Sequence, residues 1–178
     1  MIKTHRPPTN PKYNEKYDKA VLLIRNPFDA FQSEFNRQKS QPNHRHTGFA
    51  DTEVYKHEWK SFVEIKQKFG ENWYAFHKSW IEHYKESRNI HIIFYEDLVK
   101  DTESELKKLL GFLAVDFTKK ELKCTIENKE GLYHRPKKQS HVNGWFNNDM
   151  RLKICSFKKR VIKSLKNHCN YCKENYCN

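Results

Sequence analysis

Apolar and polar residues alternate along this chain in two rhythms. Ala20-Val21-Leu22-Leu23-Ile24 and the core of Asn89-Ile90-His91-Ile92-Ile93-Phe94-Tyr95-Glu96 are short, nearly continuous apolar runs. Runs of that length and composition read as fully buried strands of a parallel sheet. Elsewhere apolar residues return every three or four positions, the spacing of one helix face. Residues 27 to about 39 repeat Phe28, Phe31 and Phe35. Residues 53–69 use Trp59, Phe62 and Val63, and residues 73–87 use Trp73, Phe76, Trp80 and Tyr84, with Gly70-Glu71-Asn72 as the break between them. Helices are also expected over 102–113, over 118 to about 127 and over 148–165. Thr102 with Glu105 three residues later has the pattern of a capping box. Ile2-Lys3-Thr4-His5 reads as the end of a short strand. Strands separated by helices imply right-handed crossovers and a parallel α/β sheet. Two strong strands and one weak one are few for such a sheet, so further strands are expected to be missing.

The junction after the first apolar run carries the chemistry. Arg25-Asn26-Pro27-Phe28-Asp29 follows the strand directly, with Ser33 eight residues after the arginine. Asn26 is a good helix N-cap and Pro27 suits the first helical position. Ser33 falls on the helix face opposite the phenylalanines, with Asn26, Asp29 and Arg37. An arginine, a hydroxyl and a helix N-terminus at the C-terminal edge of a parallel sheet make an anion site, most simply for a phosphate.

Charge points the same way. The 178 residues carry a formal charge of +12, which favours an anionic partner: nucleotide, acidic glycan, nucleic acid or membrane surface. No apolar run approaches the ~20 residues of a membrane helix, and the first residues lack the apolar region of a signal peptide. Residues 40–52, with His44-Arg45-His46, read as a surface loop, and residues 128–144 as a basic one. The five cysteines are Cys124, Cys155, Cys169, Cys172 and Cys177. The last three crowd the C-terminus beside His168. A single Cys-x-x-Cys pair is thin support for zinc, so disulfides or inert thiols are expected and no metal site is assigned.

Three pieces converge in order: Lys3-Thr4-His5, then Arg25-Asn26-Pro27-x-Asp29 with Ser33, then Tyr95-Glu96-Asp97-Leu98. Together they resemble the sulfotransferases that use 3′-phosphoadenosine 5′-phosphosulfate (PAPS). Adding Leu22-Leu23-Ile24-Arg25-Asn26-Pro27, Glu34-Phe35-Asn36-Arg37 and Asn128-Lys129-Glu130-Gly131, the chain looks most like the sulfotransferase domain of the WSC-domain-containing (WSCD) family, over residues 2 to about 145. The resemblance implies a P-loop-NTPase-like, three-layer α/β fold: a parallel sheet flanked by helices. It implies residues 1–147 as the C-terminal part of a sulfotransferase domain, with 148–178 forming a last helix and a cysteine-rich tail.

The resemblance also implies roles. Arg25 and Ser33 match the residues that hold the 3′-phosphate of the nucleotide, and Tyr95 matches a tyrosine at the nucleotide. Arg135, Lys137 and Lys138 occupy the place of a basic loop that closes on the same phosphate. His5 matches the base that takes the acceptor's proton, a task suited to a group titrating near neutrality. Lys3 matches a lysine that stabilises the charge gathering on the leaving nucleotide. A glycan-directed member can use a carboxylate as base instead, which leaves Glu34, His44 and His46 as candidates. The co-substrate implied is PAPS, the acceptor a hydroxyl, most naturally on carbohydrate, and the compartment the lumenal side of the Golgi membrane.

One element is missing from the match. The family's phosphate-binding loop, whose backbone N–H groups cradle the 5′-phosphosulfate, lies upstream of the Lys-Thr-His strand, where this chain has only Met1 and Ile2. The family's N-terminal membrane anchor is likewise not in the sequence. The chain is therefore expected to be part of a longer sulfotransferase. An inactive module that binds acidic glycan or nucleotide is the second reading. Nucleic-acid binding is a third, but no helix-turn-helix, RRM or KH signature supports it.

Overall fold

The computed structural model describes residues 3–5, 7–8, 17–40, 48–65, 67–130 and 145–165. Two strands, β1 (Ala20–Ile24) and β2 (Ile90–Phe94), pair in parallel. Between them run α1 (Pro27–Lys39), α2 (Thr52–Ile65) and α3 (Gln67–His83). After β2 come α4 (Tyr95–Lys100), α5 (Thr102–Leu113), α6 (Lys119–Glu127) and α7 (Asn148–Leu165). The architecture is α/β, as the two hydrophobic rhythms predict.

Register is the feature that matters for the site. Ala20 pairs with Ile90, Leu22 with Ile92 and Ile24 with Phe94. Because both strands end at the same level, the residues that follow, Arg25-Asn26 and Tyr95-Glu96, emerge side by side. Leu22, Ile24 and Ile90 face a cluster built with Trp73, Trp80 and Ile81 of α3, Tyr84 just after that helix, and Val161 and Leu165 of α7. Side chains alternate across a strand, so His91 points the other way, where it stacks on Phe112 of α5 with ring centroids 5.3 Å apart. Helices thus flank β2 on both faces.

A second cluster joins α1 to α2. Phe31 and Phe35, both fully buried, pack with Tyr55, Trp59, Phe62 and Val63 and with Met150 and Ile154 of α7. Phe35 meets Trp59 edge-on at 5.1 Å, a favourable aromatic geometry. The buried Asn36 Oδ1 accepts from the Ala50 backbone N–H at 2.9 Å and from the Tyr55 hydroxyl at 3.1 Å, which locks the approach to α2 onto α1. α7 therefore spans both clusters, its first half in one and its second half in the other.

Several expectations need correction. Lys3, Thr4 and His5 lie in neither strand nor helix. β1 is not fully buried: Val21 and Leu23 are 38% and 49% exposed, since the described residues cover that face of the strand only in part. Gly70 does not break a helix. α3 runs through it, because a Cβ there would sit 2.8 Å from the Phe157 ring of α7; the glycine permits close helix packing. The cap of α5 is Asp101, which accepts from the Ser104 N–H, while the Thr102 hydroxyl donates backwards to the Leu98 carbonyl. The capping box that does form belongs to α6, where Thr118 and Glu121 satisfy each other's backbone N–H groups.

Candidate functional site

The site grows from the common end of β1 and β2. β1 hands its chain to α1 through Arg25 and Asn26. Asn26 is the N-cap, its Oδ1 accepting from the Phe28 N–H at 3.3 Å, and Pro27 stands at the first helical position. β2 passes directly into α4, so Tyr95 and Glu96 belong to a first helical turn. The Arg25 guanidinium lies over the Tyr95 ring, 4.7 Å from its centroid, a cation–π contact. The Asn26 backbone N–H donates to Glu96 Oε1 at 2.8 Å. Both corners are therefore clamped together by their own motif residues.

The Arg25 Nε is buried and has no hydrogen-bond partner among the described residues. An unsatisfied buried donor on a cation is costly, and an anion arriving at the corner would satisfy it. Ser33 is half-buried in the second turn of α1. Tyr95 is exposed, with the Arg25 guanidinium over its ring.

Beneath the corner is a pocket lined on its polar side by Arg25, Asn26, Glu96 and Lys158, and on its apolar side by Trp73 and Val161 among others. Lys158 is a residue the sequence reading missed. It is buried on α7, and its Nζ lies 3.4 Å from Asn26 Oδ1. Burial pushes its pKa down to about 8, opposed by the nearby carboxylates of Glu96 and Asp29. A signal for it was present: Met150, Ile154, Val161 and Leu165 form an apolar stripe, and position 158 falls on it.

The remaining candidates fall elsewhere. Lys3 and His5 are exposed and lie in neither strand nor helix, and no contact of either with Arg25, Tyr95 or Glu96 is seen among the described residues. Glu34 is committed to Arg37, which donates from Nε and Nη2 at 2.7 Å each, and also accepts from Gln38. Arg135, Lys137, Lys138, His44 and His46 lie outside the described residues, as do His168, Cys169, Cys172 and Cys177. Cys155 is disulfide-bonded and Cys124 is a free, exposed thiol. Among the described residues no helix is long and apolar enough to cross a membrane.

A parallel α/β sheet whose strand ends bring an arginine, a helix cap and a stacked tyrosine together is a corner suited to an anion. The family model for the sulfotransferase domain matches residues 1–168, and the chain belongs to that family. Within it, the chain is 36% identical over 142 residues to a WSCD family member of Drosophila melanogaster, covering 78% of this chain and 41% of the relative. A WSCD family member of Drosophila pseudoobscura pseudoobscura is 34% identical over 169 residues, covering 93% of this chain and 49% of the relative. The chain thus spans less than half the length of these curated relatives. The crystal structure of mouse sulfotransferase SULT7A1 complexed with PAP (PAPS without its sulfuryl group) superposes with a TM-score of 0.50 at 22% identity, over 84% of this chain and 58% of that one. It shows the shared fold.

Proposed function

We propose that this chain carries the 3′-phosphate-binding end of a PAPS-dependent sulfotransferase acting on a hydroxyl, with carbohydrate as the acceptor class. The observation that carries this reading is the clamped corner: a buried, unpartnered Arg25 Nε beside an arginine–tyrosine stack at the parallel strand ends. An arginine fork matches the geometry of a phosphate, and the exposed Tyr95 ring offers a surface to an adenine. Ser33 adds a hydroxyl from α1, and Arg135, Lys137 and Lys138 are assigned to the same phosphate by family likeness.

In the reaction, the acceptor oxygen bonds to sulfur as the bond from sulfur to the phosphate oxygen breaks. PAP departs with that electron pair. His5 is assigned as the base that receives the acceptor proton, and Lys3 as the cation that steadies the departing nucleotide. The net charge of +12 supports an acidic glycan acceptor. The Cys155 disulfide supports an oxidising compartment, and on family likeness we assign the lumenal side of the Golgi membrane.

The test is calorimetric titration of the 178-residue chain with PAP, alongside Arg25→Ala. Binding that the substitution abolishes supports the reading; a wild-type chain blind to PAP overturns it. A second reading, nucleotide binding without turnover, is favoured by the exposure of Lys3 and His5, which lie in neither strand nor helix. PAP binding without transfer of labelled sulfur from PAPS to desulfated heparin would select it.

A further inference from the structure

Helix α7 carries one residue out of keeping with its face. Met150 and Ile154 enter the α1–α2 cluster, and Val161 and Leu165 enter the β-sheet cluster. Lys158 lies on the same stripe between them and is 6% exposed. A lysine is seldom buried without a partner that needs its charge. Its ammonium reaches Asn26 Oδ1 at 3.4 Å, the residue that joins β1 to α1. Asn26 is thereby held at three points: by Lys158, by its cap to Phe28 and by Glu96 on its backbone N–H.

The groups around that ammonium come from each element packed on it. α4 supplies Glu96 and α1 supplies Asp29, both of which favour the protonated lysine. The end of β1 supplies Arg25, and α3 supplies the Trp73 ring. The Glu96 carboxylate is needed to fix the Asn26 N–H, yet it places a negative charge at the threshold of an anion site. Asp29 adds another. Arg25 alone against two carboxylates leaves the corner net negative, which repels a phosphate; adding the lysine cation brings it to balance before the helix N-terminus contributes. A lysine titrating near 8 keeps most of its proton at neutral pH.

We propose that Lys158 is a positioning residue of the nucleotide site: it neutralises Glu96 and Asp29 and anchors Asn26, so that Arg25 is presented to a 3′-phosphate from a corner that no longer repels it. The proposal rests on the nucleotide reading above. It makes the last helix, far from the family motifs in sequence, part of the binding apparatus.

Calorimetry on the full chain with two probes tests it: PAP, and adenosine 5′-monophosphate, which lacks the 3′-phosphate. Lys158→Met is expected to weaken PAP about ten-fold while leaving the monophosphate within about two-fold, and Lys158→Arg to recover most of the loss. Glu96→Gln in the Lys158→Met background is expected to restore PAP affinity, because the repelling charge is gone while the amide oxygen still accepts from Asn26. Thermal melting accompanies each variant. Where Lys158→Met does not fold, Glu96→Gln alone carries the test and is expected to tighten PAP. Equal loss of both probes, no loss of either, or a Glu96→Gln variant no tighter than wild type overturns the proposal. If wild type fails to bind PAP, the nucleotide reading itself falls; if Arg25→Ala abolishes binding and Lys158→Met does not change it, only the role of Lys158 falls.

Discussion

The two halves of the motif set have very different physical standing. At the strand ends, Arg25, Asn26, Tyr95 and Glu96 are drawn together by sheet register, a cation–π contact and a 2.8 Å hydrogen bond. Lys3 and His5, matched by the same resemblance, are exposed and lie in neither strand nor helix. Motif matching weights the two halves equally; packing does not. The half assigned to anion binding is organised by the residues around it, and such preorganisation is what lowers the cost of binding. The half assigned to proton transfer shows no such contacts among the described residues.

The sharpest way to break this contrast is at Arg25. Arg25→Ala removes the cation and its fork, and PAP affinity is expected to fall by about 4 kcal/mol, in the range for truncating one partner of a buried charge pair. Arg25→Lys keeps the charge without the fork and is expected to recover less than half of that. If calorimetry finds Arg25→Ala within a few-fold of wild type, the corner is an ordinary strand–helix turn and its order has nothing to do with ligand.

Lys158 sharpens the contrast through stability. Its pKa is lowered from 10.5 to about 8, chiefly by burial. An unfolded chain holds this proton up to about 10.5, whereas the folded protein releases it from about 8. In that window the unfolded state binds more protons, so stability rises with pH. Below pH 8 the folded protein carries the whole cost of the buried charge. Urea unfolding at pH 7 and pH 10 is therefore expected to show a rise in wild type relative to Lys158→Met. Equal pH dependence in the two would mean the ammonium is solvated and the corner is not built around it.

Asn26 comes next. Asn26→Ala deletes the cap on Phe28 and the acceptor for Lys158 but leaves the backbone bond to Glu96. Loss of a cap costs about 1 kcal/mol, so a small fall in melting temperature is expected, with a few-fold loss of PAP affinity. A larger loss of affinity than of stability would mark Asn26 as part of the site more than of the helix.

What could be read in advance followed the range of the interactions involved. β1 and β2 were legible because an apolar run is a local signal, and α1 because Asn26 and Pro27 announce a helix start within two residues. Arg25 and Tyr95 could be listed, but their meeting depends on the register of two strands 70 positions apart. Gly70 reads as a break along the sequence because its reason is the Phe157 ring on another helix. Lys158 reads as an ordinary surface lysine because a cation in an amphipathic helix normally faces water; only the stripe of Met150, Ile154, Val161 and Leu165 shows that this one does not. The exposure of Val21 and Leu23 was hidden by the same rule that found their strand: a continuous apolar run says both faces prefer cover, not that both have it.

The smallest effect on nucleotide binding is expected at His5, and it is the most telling about the contrast. His5 is exposed and is not among the contacts that organise Arg25, so His5→Ala is expected to leave PAP affinity within about two-fold of wild type, as for a surface substitution. Its assigned work is different: to accept a proton from the acceptor hydroxyl in the transition state, a contribution of roughly 10²–10⁴ in rate. Transfer of labelled sulfur from PAPS to desulfated heparin, measured against the wild-type rate, is thus expected to collapse in His5→Ala while calorimetry sees almost nothing. A drop in PAP affinity comparable to that of Arg25→Ala would show that the two halves act as one site. An unchanged transfer rate would remove His5 from the chemistry and return the role of base to Glu34, His44 or His46, of which Glu34 is already held by Arg37 and Gln38.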